Sequence, residues 1–316
     1  MLQVLVVGCG AVGGYFGGRL LQSNHCGVTF LVRTAAQAKT LQTYGLEIRS
    51  PDRGNLFLPS VKAVSDLSEE TTKFDVVLIT CKSFGLDSVL ASLRKYPQQP
   101  QSYLVIPLLN GMQHFTKLDL EFGKQRVYGG VARISSVLVP STKENQPITI
   151  QHLSGLHSLI FGPRTSSTPL DKCRKLELAL NQNATAELTM DIELDLWEKF
   201  VTLTSLAAAT CLCRSTIGEI LRTEEGLNLL ARLLGECTSG SPVRLREERI
   251  AIYRKLFMED KKSTLTSSML RDLLQGNKTE AREIVREMLW LVRAAGKPCD
   301  TLATCWVVLE CYENKL

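Results

Sequence analysis

Val4-Leu5-Val6-Val7-Gly8-Cys9-Gly10-Ala11-Val12-Gly13-Gly14 is an apolar run that breaks into G-x-G-x-x-G and opens into an amphipathic stretch over 15–22. This order reads as the strand, turn and helix of a dinucleotide-binding βαβ unit. The three glycines do different things. Gly8 makes the tight turn, Gly10 admits a pyrophosphate to the backbone, and Gly13 lets the helix pack on the sheet. The helix start then offers phosphate its unpaired N–H groups and the positive end of its dipole. Cys9, Ala11 and Val12 complete the loop and count with the glycines as cofactor contacts. A second apolar run, 27–32, ends at Arg33, twenty residues after Gly13. An acidic residue there would hold the ribose 2′-OH of NAD, whereas arginine suits a 2′-phosphate, so the expected cofactor is NADPH/NADP+. The other reading of Arg33 is a solvated residue at a strand end.

The 316 residues, 44% hydrophobic and 22% charged, suffice for two domains with substantial cores. A net charge of +5 and a pI near 8.6 suit small anionic ligands. No dense basic patch is interleaved with aromatics, so nucleic acid is not an expected partner. Ten cysteines lack any CxxC pair and the four histidines lack metal-ligand spacing, which points to reduced thiols, a cytoplasmic location and no metal centre. The first apolar run breaks at Gly8 with no basic segment before it, so neither a signal peptide nor a membrane span is read there.

Further buried-strand patterns fall at 74–80 and 102–107, each near a helical stretch, and predict a doubly wound parallel sheet. Later strands are expected over 127–139, 148–153 and 157–161, with turns at Pro147 and at Ser154-Gly155 and a closing loop over 162–169. Helical patterns then take over at 170–181, 195–213, 223–235, 244–257, 264–274 and 280–293. The expected architecture is an α/β Rossmann-type domain over 1–189 followed by an all-α domain over 190–316.

Lys199 precedes fourteen residues without a charge, 200–213, and its neighbours one and two turns on are Leu203, Leu206 and Ala207. Desolvation on such a face would fit it to proton transfer, while a lysine snorkelling from the end of a buried helix gives the same pattern. Glu280 also has two readings. Asn277-Lys278-Thr279-Glu280 fits a capping box, and the same carboxylate could instead serve a substrate. Ser268 is either a helix cap or a ligand. Lys82 and Asn110 follow strand ends, where open α/β sheets bind ligands.

Together these segments resemble the ketopantoate reductase (2-dehydropantoate 2-reductase) family, related in architecture to 6-phosphogluconate dehydrogenase. The likeness includes the glycine loop, Leu31-Val32-Arg33, Cys81-Lys82-Ser83, Leu108-Leu109-Asn110-Gly111-Met112, Trp197-Glu198-Lys199, Ser267-Ser268-Met269 with Asp272, Lys278-Thr279-Glu280, and Gly296-Lys297-Pro298. The twelve-residue interval from Ser268 to Glu280 is also that of the family. The resemblance implies NADPH-dependent reduction of a 2-oxo acid, with ketopantoate as the expected substrate. Lys199 would be the catalytic acid, assisted by Glu280. Asn110 would bridge cofactor and substrate, Ser268 and Glu280 would hold the substrate, and Arg33 and Lys82 would hold NADPH. The expected partners are the small-molecule 2-oxo acid and a second copy in a homodimer.

Two departures bear on the substrate. The family usually has asparagines four and eight residues after its lysine, where this chain has Leu203 and Ala207. Where the family reads T-E-I-D and then N-G, this chain has Thr279-Glu280-Ala281-Arg282 and Val285-Arg286. A site lacking a partner for a buried hydroxyl discriminates for it less well. The alternatives are therefore a more apolar 2-oxo or 3-hydroxy acid, or a silent NADPH-binding protein.

Overall fold

The structure is a computed structural model describing residues 1–98, 102–140, 145–165 and 170–316. The end of the expected 162–169 loop lies outside them. The chain forms two compact units, Met1–Leu109 with His114–Glu193, and Asn110–Gln113 with Leu194–Leu316. A single division after 189 does not foresee that Asn110–Gln113 joins the second unit.

In the first unit the strands are β1 (Leu2–Val7), β2 (Cys26–Leu31), β3 (Leu46–Arg49), β4 (Leu56–Leu58), β5 (Ala63–Val64), β6 (Val76–Ile79), β7 (Leu104–Pro107), β8 (Gly129–Val139), β9 (Ile148–Gly162) and β10 (Thr185–Leu188). The helices are α1 (Ala11–Gln22), α2 (Ala35–Thr43), α3 (Leu86–Arg94), α4 (His114–Phe122) and α5 (Asp171–Leu180). One sheet runs β5-β2-β1-β6-β7 with every pairing parallel. Val4, Leu5 and Val6 are wholly buried, as an unbroken apolar run requires when both faces of a strand are covered. The strand order reverses at β1, which pairs Val7 with Leu31 of β2 and with Ile79 of β6. This register gathers the carboxyl ends of three strands at the switch point where such sheets bind ligands.

The other sheet, β10-β9-β3-β4 with β8 antiparallel to β9, departs from the sequence reading at several points. The expected turn at Ser154-Gly155 is absent, and β9 runs through it as one strand. The turn-like residues become a bulge instead: β8 pairs Ser136 with His152 and Ile134 with His157, leaving 153–156 opposite Ser135. The strands β3 and β4 are further corrections, since no strand is expected there, and so is β10. Its Ala186 packs in the core while Thr185 and Glu187 are exposed, a pattern too short to stand out.

The second unit is helical: α6 (Ile192–Cys213, which begins in the first unit), α7 (Ile217–Leu221), α8 (Gly226–Ser239), α9 (Glu247–Met258), α10 (Ser268–Leu274), a π-helical turn Arg282–Arg286, α11 (Glu287–Ala294) and α12 (Asp300–Glu313). The uncharged stretch of α6 is buried through Val201, Ala207, Ala208, Ala209 and Cys211. Its hydroxyls are satisfied within the helix, since Thr202, Thr204, Ser205 and Thr210 each donate to the carbonyl four residues back. The helix can therefore be enclosed without orphaned polar groups.

Candidate active site

The glycine loop is fixed from both sides. Gly8 has a φ of +100° and donates its N–H to Leu31 O at 2.8 Å. Thr80, just past β6, donates its hydroxyl toward Val7 O and Gly8 O at 2.8 and 3.1 Å, tying the turn to the neighbouring strand. A Cβ on Gly13 would lie 2.2 Å from both Gly8 O and Thr80 Oγ1, so packing within the protein demands glycine there. A Cβ on Gly10 would meet nothing within 4 Å. Gly10 caps α1 at its N-terminus and leaves that space open, which fits a dinucleotide pyrophosphate.

Cys9 is buried, and burial pushes its thiol up to about 12, so it serves the loop as a small apolar side chain. Ala11 and Val12 are half-buried in the first turn of α1. Arg33 is exposed just beyond β2, ahead of Thr34, which caps α2 by accepting from Gln37 N at 3.2 Å. Lys82 is exposed beyond β6, at the entrance to the short Ser83–Gly85 turn before α3. The register thus gathers the glycine loop, Arg33 and Lys82 at the carboxyl ends of β1, β2 and β6, while Asn110, the remaining expected cofactor contact, clusters with the helical unit.

In the helical unit the capping reading of Glu280 fails. Gly276, at φ +72°, donates to Leu273 O at 3.1 Å, and Asn277 donates to Asp272 O at 2.9 Å. This Schellman arrangement closes α10, so Asn277 ends one helix instead of opening the next. Glu280 opens the next helix through its main chain, its carbonyl accepting from Ile284 N at 3.0 Å. Its carboxylate is buried and accepts from Asn110 Nδ2 at 3.2 Å, joining residues 170 positions apart. The cap reading of Ser268 fails as well. Ser267 is the cap of α10, accepting from Leu270 N at 3.0 Å, and Ser268 is half-buried in the first turn.

Lys199 is half-buried on α6. Beside it, Glu198 is wholly buried and engaged by Arg246, which bonds its two oxygens at 2.8 and 2.7 Å and also reaches Asp195 at 2.8 Å. These carboxylates raise the Arg246 pKa, Glu198 above all. Leu203 is half-buried against the core, and Ala207 is completely enclosed within it.

Sequence reasoning missed three residues here: Thr80, Arg246 and Glu287. Glu287 is 7% exposed and accepts from Met112 N at 3.1 Å. Burial pushes its carboxyl up to about 7, against the opposing effect of the Met112 and Gln113 N–H groups. The spacing of Glu280, Glu283 and Glu287 is the signal that could have revealed it, since it repeats at helical intervals on a face apart from the exposed Arg282 and Arg286.

Residues 4–165 match the family described as ketopantoate reductase PanE/ApbA, and residues 191–313 match its C-terminal domain. This chain belongs to the ketopantoate reductase family. It is accordingly an oxidoreductase of the NADP-dependent type, and the family binds NADPH. The chain is 33% identical over 321 residues to the uncharacterized oxidoreductase YkpB of Bacillus subtilis, covering 99% of each chain. The fold is similar to 2-dehydropantoate 2-reductase from Methylococcus capsulatus, with a TM-score of 0.83, 21% identity, and 99% and 97% of the two chains covered. It is similar too to D-mandelate dehydrogenase bound to NADH and anilino(oxo)acetate, with a TM-score of 0.81, 16% identity and 99% of each chain covered. Among the described residues of this ketopantoate reductase family member, no helix is long and apolar enough to cross a membrane.

Proposed function

We propose that this enzyme reduces a 2-oxo acid to the 2-hydroxy acid, with 2-dehydropantoate (ketopantoate) as substrate and pantoate as product, in cytoplasmic pantothenate biosynthesis. The observation that carries the reading is the buried Glu280 carboxylate, which is set against Asn110. A carboxylate is costly to bury and is retained where it binds or orients something.

When bound, NADPH supplies the hydride that reduces the ketone carbon. The glycine loop, Gly8 to Gly13, cradles the pyrophosphate, Arg33 takes the 2′-phosphate, and Lys82 adds a second positive charge. Lys199 polarises the keto oxygen and gives it the proton, a role typically worth about 10²- to 10⁴-fold. Asn110 and Ser268 orient the substrate, and Glu280 accepts its hydroxyl. Exposed Trp290 and Val307 on the helical unit are consistent with a homodimer.

A more apolar 2-oxo or 3-hydroxy acid is the second reading, favoured by Leu203 one turn beyond Lys199. Ala207 is enclosed in the core, so Leu203 carries that argument alone. NADPH oxidation measured against ketopantoate and a panel of aliphatic and aromatic 2-oxo acids tests both. Ketopantoate is expected to give the highest kcat/KM, and Lys199→Ala to lower kcat about 10²-fold while leaving NADPH affinity within about twofold. A higher kcat/KM for an apolar acid transfers the assignment to the second reading. Undiminished kcat in Lys199→Ala removes the lysine from the chemistry.

A further inference from the structure

We propose that Glu287 is a positioning residue of the reductase site, gripping the main chain of the 110–113 turn so that Asn110 meets Glu280. Asn110–Gln113 is a four-residue excursion that clusters with the helical unit. Two carboxylates of one helical segment hold it: Glu280 accepts from the Asn110 side chain at 3.2 Å, and Glu287 accepts from the Met112 N–H at 3.1 Å. The π-helical turn Arg282–Arg286 lies between them, a distortion that recurs at functional sites.

Between the two anchored residues Gly111 adopts a left-handed φ of +78°. A Cβ there would come 2.3 Å from Glu283 O and 2.9 Å from Glu287 Oε2, so the turn lies directly on the helix. The sequence neighbours of Glu287 on the core side, Met288 and Leu289, are apolar and buried, and an apolar residue at 287 would pack beside them without desolvating a carboxylate. What an apolar residue cannot do is accept the turn's N–H groups. Both Met112 and Gln113 N–H act to favour the charged form of Glu287. The inference rests on the reading of Asn110 and Glu280 as site residues.

The test uses the full chain with NADPH and its best 2-oxo acid. Glu287→Ala is expected to lower kcat about tenfold or more with NADPH affinity within about twofold, while Glu287→Gln, which keeps an acceptor oxygen, stays within about threefold of wild type. Asn110→Ala combined with Glu287→Ala should be no worse than Asn110→Ala alone. Amide exchange of Met112 and Gln113 should quicken in Glu287→Ala and recover in Glu287→Gln, a readout independent of turnover. Should Glu287→Ala fail to fold, Gly111→Ala disturbs the same contact from the turn and should likewise lower kcat with NADPH affinity preserved. Wild-type kcat and exchange in Glu287→Ala, wild-type kcat in Gly111→Ala, or multiplicative effects in the double variant overturn the proposal. Asn110→Ala with full kcat overturns the site reading and the inference together, whereas a crippled Asn110→Ala beside an intact Glu287→Ala overturns the inference alone.

Discussion

Two turns in this molecule depend on a left-handed glycine, Gly8 at φ +100° and Gly111 at +78°, and they differ in where the constraint comes from. At Gly8 it is only partly local: a Cβ on Gly13 would lie 2.2 Å from Gly8 O, within one strand-turn-helix passage, but equally close to Thr80 Oγ1, which would also lie 3.2 Å from a Cβ on Gly8 itself. At Gly111 it comes from Glu283 and Glu287, far along the chain and on a helix of their own. A local steric demand leaves a spacing motif behind, and a long-range one leaves only a glycine and an acidic residue that could each serve many purposes. The proposed cofactor residues are thus written mostly in spacing, and the proposed substrate residues in tertiary contacts.

The largest expected effect tests the local side. Gly13→Ala drives a methyl to 2.2 Å from Gly8 O, and should cost about 3 kcal/mol of stability or more in denaturant melts. Gly10→Ala meets no protein atom within 4 Å, so it should melt like wild type while NADPH binding weakens about tenfold or more. Equal stability losses in the two variants would break the distinction between a packing glycine and a ligand glycine.

The long-range side should show itself through pH. Burial holds the folded-state Glu287 near 7, above the ordinary carboxylate value, so the folded protein keeps a proton that the unfolded chain releases. The stability it confers is complete below about pH 4.5 and is lost as pH rises through about 7, by at most about 3 kcal/mol. Glu287→Gln should flatten that decline relative to wild type in melts between pH 5 and 8. Parallel pH profiles would show that Glu287 is not buried as described.

Arg33 offers a smaller and more local test. Its bond to a 2′-phosphate would be worth about 1.5 to 3 kcal/mol, so Arg33→Ala should erase most of the preference for NADPH over NADH. A variant that keeps the preference would assign the phosphate to another residue, with Lys82 next in line.

The same distinction explains what could be read beforehand. The parallel sheet, its glycine turn, Arg33 and the long helix carrying Lys199 all follow from periodicity and spacing. The turn expected at Ser154-Gly155 became a bulge because pairing with β8 carried β9 through a weak local signal. At Asn277 the local pattern suited two motifs, and Gly276 with its positive φ decided for closing α10 over opening the next helix. That choice left Glu280 available to Asn110. The grip of Arg246 on Glu198, 48 residues apart, had no local trace at all.

Glu280 is either a functional or a merely structural carboxylate, and kcat of Glu280→Ala on the best 2-oxo acid distinguishes the two directly. A site residue predicts a fall of about 10²-fold with NADPH affinity nearly unchanged, and little further loss when Lys199→Ala is added, as for groups that act as a unit. Near-normal turnover accompanied by a stability loss of about 1 kcal/mol would be the behaviour of a helix cap, and would contradict the assignment.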